Sequence, residues 1–554
     1  MSRRLCAGPR ALCNVCEGKL VKTEQFDAVV IGGGHNGLTC AGYLGRAGLS
    51  VKVLEKRKVV GGAAVTEEIC PGFRASTCSF VVGLLEPKVI EDLELKRHGF
   101  SLIDRAHGAF LPSRDGPGEI MPRSFKETVA LLRQHSESDA NALLEFDAEV
   151  TEVANFVRRQ LLKAPPNLGG GFGDLVKAAV LGRDAWGLSK GRIQGLINLF
   201  GMSVGDYLDG YFELDFFKGM QAFSALTGNF QSPYAPGTAY GLLHHAWGKT
   251  NGEMGKYNYA RGGMGAITQA MARSAEEHGV DIETGAGVAQ VVTEHGKATG
   301  VVLEDGRKIS ARVVVSNLNP KLLFSRLVDD ALLPEDFSKR MKNWRCRSGS
   351  FRMNVALSEL PDFLGRPGTH LQPHHTCSTF IIPSLAYCER AYVTAQLNGW
   401  SEEPIIDMTI PSTIDDSLAP PGQHVATIFV QHVQPELSGG RSWDDEKDTV
   451  ADHILGYLDQ YAPNFSKSVI ARTIISPLDL EREWGLVGGD IFHGSLGMDQ
   501  IFSLRPAAGF ADYRMPVKNL YLCGSGGHPG GGVTGAPGHN AAQEVIKDFR
   551  RKRV

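Results

Sequence analysis

An α/β fold is predicted by three observations. A short β-branched apolar run from Phe26 (FDAVVIG) ends in Gly32-x-Gly34-x-x-Gly37; an apolar helical pattern continues through Leu38 to Ala47; and a second strand, Ser50 to Glu55, completes a βαβ unit of about 30 residues. The 554 residues, 42% hydrophobic and 21% charged, suffice for a large buried core, which excludes a disulfide scaffold and a disordered chain. Lys and Arg (58) nearly balance Asp and Glu (61), so no basic field favours nucleic acid.

Residues 1–16 carry Arg3, Arg4 and Arg10 with no acidic residue before Glu17. This predicts a mitochondrial transit segment over 1–22 and a matrix location, where protein partners are available. Cys13-x-x-Cys16 lies inside it and has no second pair to complete a zinc site; no metal is expected. The nucleotide-binding domain begins over 25–100. A mostly helical insertion is expected over 101–240, with helical periodicity at 125–163 and 172–222 broken by Pro165-Pro166 and the glycines 169–171. The nucleotide-binding domain resumes over 241–345, where His295-Gly296 and Asp305-Gly306 turns separate strands at 288–293, 299–304 and 308–316. The inserted α+β domain continues over 346–470. Residues 471–554 close the first domain, with the strand Leu520-Tyr-Leu-Cys523 entering a glycine-rich loop and a helix expected from near Val533. No apolar run reaches the ~18 residues that span a bilayer, which leaves at most a peripheral membrane contact.

The first glycine motif carries chemistry because of its setting. Gly32 permits the tight turn, Gly34 lets backbone approach a pyrophosphate, and Gly37 allows the helix to pack close on the sheet. The helix N-terminus favours the anion, and Glu55 at the end of the next strand can accept a ribose hydroxyl. The glycine spacing at 169–173 follows Pro165-Pro166 with no strand before it, and reads as a loop.

Lys56-Arg57-Lys58-Val-Val-Gly61-Gly62-Ala63 then places a glycine pair just past the acidic residue. With Tyr259-x-x-Gly262-Gly263-Met264-Gly265, the VVVSNLNP run from Val313 to Pro320, and Gly524-Ser-Gly-Gly-His528-Pro529-Gly530-Gly531-Gly532-Val533, the chain resembles the amine-oxidase and phytoene-desaturase flavoproteins nearly throughout after residue 25. The resemblance implies a Rossmann-type FAD-binding domain with a discontinuous α+β substrate domain. It implies FAD as cofactor, held by Gly32, Gly34, Asn36, Gly37, Glu55, Lys56, Gly61, Gly62, Ala63, Val288, Gly524, Gly531, Gly532 and Val533. The expected function is an FAD-dependent oxidoreductase that abstracts hydride from a C–H bond of a largely apolar small molecule, as a desaturase or oxidase. The opposing reading is a mitochondrial flavin-binding protein with a regulatory or assembly role and little turnover.

Since the flavin carries the chemistry, few catalytic side chains are expected. His493 and His528 are the candidates, each weighed against a packing or turn-capping role; His244-His245 reads as packing. Arg505 could anchor either a polar substrate or the sheet edge. Disulfide chemistry would need two cysteines able to meet at the flavin. Cys70 and Cys78, separated by seven residues including Pro71 and Gly72, do not read as such a pair.

Overall fold

The computed structural model describes residues 24–250 and 252–554. The segment 1–22 and the Cys13-x-x-Cys16 pair lie outside them. Strand β1 (Glu24–Ile31), helix α1 (His35–Arg46) and strand β2 (Val51–Glu55) form the expected βαβ unit, with β1 and β2 parallel. The apolar ends of both strands are buried on both faces, as strands covered by helices must be. They sit at the centre of a seven-stranded sheet ordered Asp281–Thr284, β2, β1, Lys308–Ser316, Lys297–Leu303, Val288–Glu294, with Leu520–Leu522 also paired to Lys308–Ser316. The chain therefore returns to the first sheet twice, parallel to β1 at Lys308–Ser316 and again at Leu520–Leu522. On one face α1, the helix Gly265–Glu277 and the closing helix Ala536–Arg550 pack together around Leu38, Leu44, Met271 and Val545.

A second seven-stranded sheet is ordered Val469–Ile475, Ser350–Leu357, His424–Val433, Trp400–Thr409, Ser378–Ile381, Ala109–Leu111, Glu119–Met121. Its side chains alternate between two environments, as the two-residue repeat of a strand requires. Phe351 packs on Trp443 of the helix Trp443–Asp459, ring centroids 5.7 Å apart, while its neighbour Arg352 faces a cavity. The helical stretch, including Glu137–Leu161, Asp215–Leu226 and Tyr240–Ala246, shares one apolar core with this sheet. Ser136 caps Glu137–Leu161 by accepting from Asp139 N–H, and the Asp139 carboxylate accepts from the Glu213 and Leu214 N–H groups, tying two helical segments together.

Two expectations change. The short hairpin Ala109–Leu111 and Glu119–Met121 lies in the stretch read as mostly helical and completes the second sheet; three-residue strands carry no periodicity of their own. The closing helix starts at Ala536, not near Val533, because Val533 (φ +58°) and Gly535 (φ +73°) hold left-handed backbone that no helix continues through. Among the described residues no helix is long and apolar enough to cross a membrane, and no group of His, Cys, Asp and Glu could hold a metal ion.

Candidate active site

The first glycine loop turns at Gly32 (φ +94°), and α1 begins one residue after Gly34. No side chain caps α1, so its leading N–H groups are left for other partners. The glycine pair sits against this loop: Gly61 N–H donates to Gly33 O at 2.9 Å, and a Cβ on Gly62 would stand 3.3 Å from Gly34 Cα. A Cβ on Gly34 would stand 2.7 Å from Asn317 Nδ2, and one on Gly37 would collide with Gly32 O. These are clearances smaller than a methyl group.

Glu55 is buried beside the loop. Its Oε2 accepts from Gly33 N–H and its Oε1 from Arg57 N–H, each at 2.8 Å, and burial raises its carboxyl above the ordinary range despite those donors. Ala286 N–H donates to Glu55 O, so Val288, two residues on, starts its strand next to this end of β2. Lys56 instead reaches outward to Glu304 at 3.1 Å and is largely exposed.

The last glycine loop, almost 500 residues away in sequence, closes on the first. Asn36 Nδ2 donates to Ser525 Oγ at 3.1 Å, and a Cβ on Gly524 would stand 2.5 Å from Asn317 O. Arg505, wholly buried, holds this loop in place: it donates to Ser525 O, Phe492 O and Gln500 O at 2.7–3.1 Å, so it anchors backbone rather than substrate. Gly531 and Gly532 pack against Phe492 and Leu84, where side chains would leave no room.

A cavity of about 730 Å³ opens from this junction. Ala63, Ser525, Gly532 and Val533 form one end; Phe146, Phe217, Phe223, Phe380 and Phe429 line the walls. Phe125, which also lines it, is 41% exposed and marks the side that meets solvent. The volume falls within the range of small-molecule pockets, about 300–1,000 Å³.

His493 lines the cavity with Nδ1 unpartnered, and burial depresses its imidazole to about 3. His35, inside the first motif, lines it as well, its Nε2 unpartnered and its imidazole lowered to about 4 by burial. Both are therefore neutral at physiological pH. His528 is not among the lining residues: its Nε2–H donates to Gln160 O at 3.2 Å and its ring packs edge-on to Phe502. It braces the loop against the end of Glu137–Leu161, which removes it as a catalytic candidate. His244 packs between Trp247 and Phe492, while His245 does line the cavity.

Cys70 and Cys78 sit toward opposite ends of one hairpin. Cys70 pairs with Phe73, whereas Cys78 lies two residues beyond Ser76, which pairs with Thr66. Four residues of strand separate the two levels, about 13 Å at 3.3 Å per residue, beyond disulfide reach. Burial pushes the Cys78 thiol up to about 12, so it is not a thiolate.

Several residues at this site were not singled out by sequence. His35 occupies a variable position of the glycine motif. Arg352 and Asp407 line the cavity from the second sheet; the available signal was a charged residue inside an apolar strand, in SFRMNVAL and in WSEEPIIDMT.

The residues present fit a flavin nucleotide: the glycine cradle has no room for side chains, and the polar atoms left unpaired at its mouth (His35 Nε2, Asn36 Oδ1, His493 Nδ1) gather where the two glycine loops meet. Residues 30–84 match a family model for an NAD(P)-binding Rossmann-like domain, and residues 189–351 match one for flavin containing amine oxidoreductase. The chain is 39% identical to pyridine nucleotide-disulfide oxidoreductase domain-containing protein 2 of Rattus norvegicus, over 95% of this chain and 94% of that protein. It is 26% identical to a phytoene desaturase (lycopene-forming) of Pantoea ananas, over 92% and 96%. A solved structure of putrescine oxidase bound to putrescine shares the fold at a TM-score of 0.58 and 16% identity, covering 95% of this chain and 99% of that one. The chain thus belongs to the family of pyridine nucleotide-disulfide oxidoreductase domain-containing protein 2, among the flavin-dependent oxidoreductases of amine oxidase and desaturase type.

Proposed function

We propose that the cofactor is FAD and that the protein removes hydride from a C–H bond of a largely apolar small molecule, as a desaturase or oxidase. The observation that carries this reading is the single cavity in which the ends of both glycine loops and a ring of phenylalanines share one space. Gly32, Gly34, Gly37, Gly61, Gly62 and Glu55 would hold the nucleotide half, and residues 524–533 the ring. Bound there, a flavin supplies a two-electron acceptor. The chain's own part is to orient and to exclude water. Phe223 and Phe380, centroids 4.7 Å apart, and Phe429 present an apolar wall, and the two neutral imidazoles add no charge beside it. Arg505 fixes the loop that closes the end of the cavity. The desaturase named among the relatives supports C–H chemistry rather than thiol chemistry, as does the separation of Cys70 from Cys78.

We also assign the protein to the mitochondrial matrix, on the arginine-rich, acid-free character of residues 1–16. A peripheral membrane contact is supported by the helix Phe172–Trp186, none of whose side chains is buried and whose Phe172 and Trp186 are both exposed. The test of the enzymatic reading is anaerobic: purified flavoprotein is mixed with apolar hydrocarbons, alcohols and amines, and the flavin absorbance is followed. Bleaching by at least one of them is expected. If none bleaches it while dithionite does, the regulatory or assembly role replaces the enzymatic one.

A further inference from the structure

The second sheet presents a row of four residues to the cavity. The register pairs Arg352 with Phe429, Phe429 with Asp407 and Asp407 with Phe380, so these side chains lie side by side across adjacent strands on one face. Arg352 is 3% exposed, and its guanidinium lies 4.8 Å from the ring centroid of Phe80 and 5.5 Å from that of Phe429. The stacking positions the group, and its Nε and Nη2, covered by surrounding atoms, have no hydrogen-bond partner in the protein. A guanidinium carries parallel N–H donors, the arrangement that a carboxylate accepts as a pair. Asp407 does not fill this role, being on the far side of Phe429, with its own Oδ1 unpartnered. Arg105 adds a second buried guanidinium to the lining, its Nη2 donating to Gly108 O at 2.7 Å and its Nε unpartnered. A buried cation with donors unmet by the protein beside a cavity favours an acceptor on whatever enters it.

We propose that Arg352 forms a carboxylate subsite, so that the substrate is an apolar monocarboxylate whose carboxylate pairs with the Arg352 guanidinium while its hydrocarbon body lies against Phe217, Phe223 and Phe380. One carboxylate charge is balanced by the one guanidinium of the row, Arg352. This inference rests on reading the cavity as the substrate site.

The experiment uses the flavin-loaded full chain and compares dodecanoate with dodecanamide, which has the same chain length and no charge, by calorimetry and by perturbation of the flavin spectrum. Dodecanoate is expected to bind about 10- to 100-fold more tightly, the range for a charge-assisted pair over a neutral one. Arg352→Met should erase that preference at unchanged flavin content, and Arg352→Lys should restore part of it. Equal affinities, or no saturable dodecanoate binding, overturn the subsite, as does a preference that survives in Arg352→Met. Loss of flavin in a folded Arg352→Met protein also overturns it, since Arg352 would then be holding the cofactor. If Arg352→Met does not fold, the comparison of the two probes on the native protein decides alone. A carboxylate preference without bleaching by any compound would leave the subsite standing and remove the hydride reading; bleaching by a neutral hydrocarbon with no carboxylate preference would do the reverse.

Discussion

In the glycine cradle the critical distances run between backbone atoms, whereas in the cavity they run between side chains delivered by elements far apart in sequence. Gly61 N–H to Gly33 O, the Gly34 and Gly62 approach and the contact of Gly37 with Gly32 O each leave less than a methyl group of space. The cavity wall meets at Phe223 and Phe380 and at Arg352 and Phe429, where a change of shape can be absorbed by neighbouring rings. The lesson is that the cradle should tolerate no added atom, while the wall should tolerate exchanges that conserve volume.

Substituting one position in each region should give the largest contrast. Gly37→Val drives a branched side chain into backbone and should yield protein without flavin, destabilised by about 1–3 kcal/mol or more. Phe223→Leu should keep its flavin and most of its stability. Flavin content and thermal midpoints measured side by side would show the contrast; a flavin-replete Gly37→Val protein would remove it.

Glu55→Ala tests whether the cradle depends on its one buried carboxylate. It leaves the Gly33 and Arg57 N–H groups without their acceptor. Flavin affinity should fall by about 1.5–3 kcal/mol, the range for hydrogen bonds to a charged group, and the yellow colour should be lost on dilution. An unchanged dissociation constant would reassign Glu55 to loop support alone.

On the cavity side, burial raises the Asp407 carboxyl to about 7, against the opposing pull of Arg105 and Arg352. Between its ordinary value of 3.8 and about 7, the folded protein holds a proton that the unfolded chain has released. Stability contributed by the neutral form is therefore lost as pH rises through that window, and the loss is complete above it. Asp407→Asn, which keeps the group neutral, should be more stabilising in denaturation at pH 8 than at pH 5, where only part of that loss has occurred. Equal effects at both pH values would mean that Asp407 is ionised throughout.

The smallest effect belongs to the thiols. Replacing Cys70 and Cys78 together by Ser should leave flavin content and substrate-dependent bleaching unchanged and cost about 1 kcal/mol of stability, chiefly from buried Cys78. Retained flavin with lost bleaching would favour thiol chemistry despite the hairpin geometry.

The parts of the site legible in sequence were those whose cause is local. Gly32 to Gly37 could be read because a strand, a tight turn and a helix start succeed one another within a few residues, and the strand at Lys308–Ser316 appears where its β-branched run and flanking turn predict it. Positions that depend on a partner were not legible. The hairpin Ala109–Leu111 and Glu119–Met121 exists because Ser378–Ile381 pairs with it. His528 looked like a site residue from its loop, yet the end of a distant helix claims its ring nitrogen.

The βαβ unit, the glycine cradle and the acidic residue at the end of β2 follow from local sequence, because backbone clearance and strand and helix periodicity are set by neighbours along the chain. Long-range packing sets the closure of residues 524–533 on Asn36, the anchoring of backbone by Arg505, and the turn of Arg352 and Asp407 toward the cavity. The reason is that strand pairing fixes which face each side chain takes, and burial beside a cavity then decides whether a charge finds a partner within the protein or is left to meet one from outside.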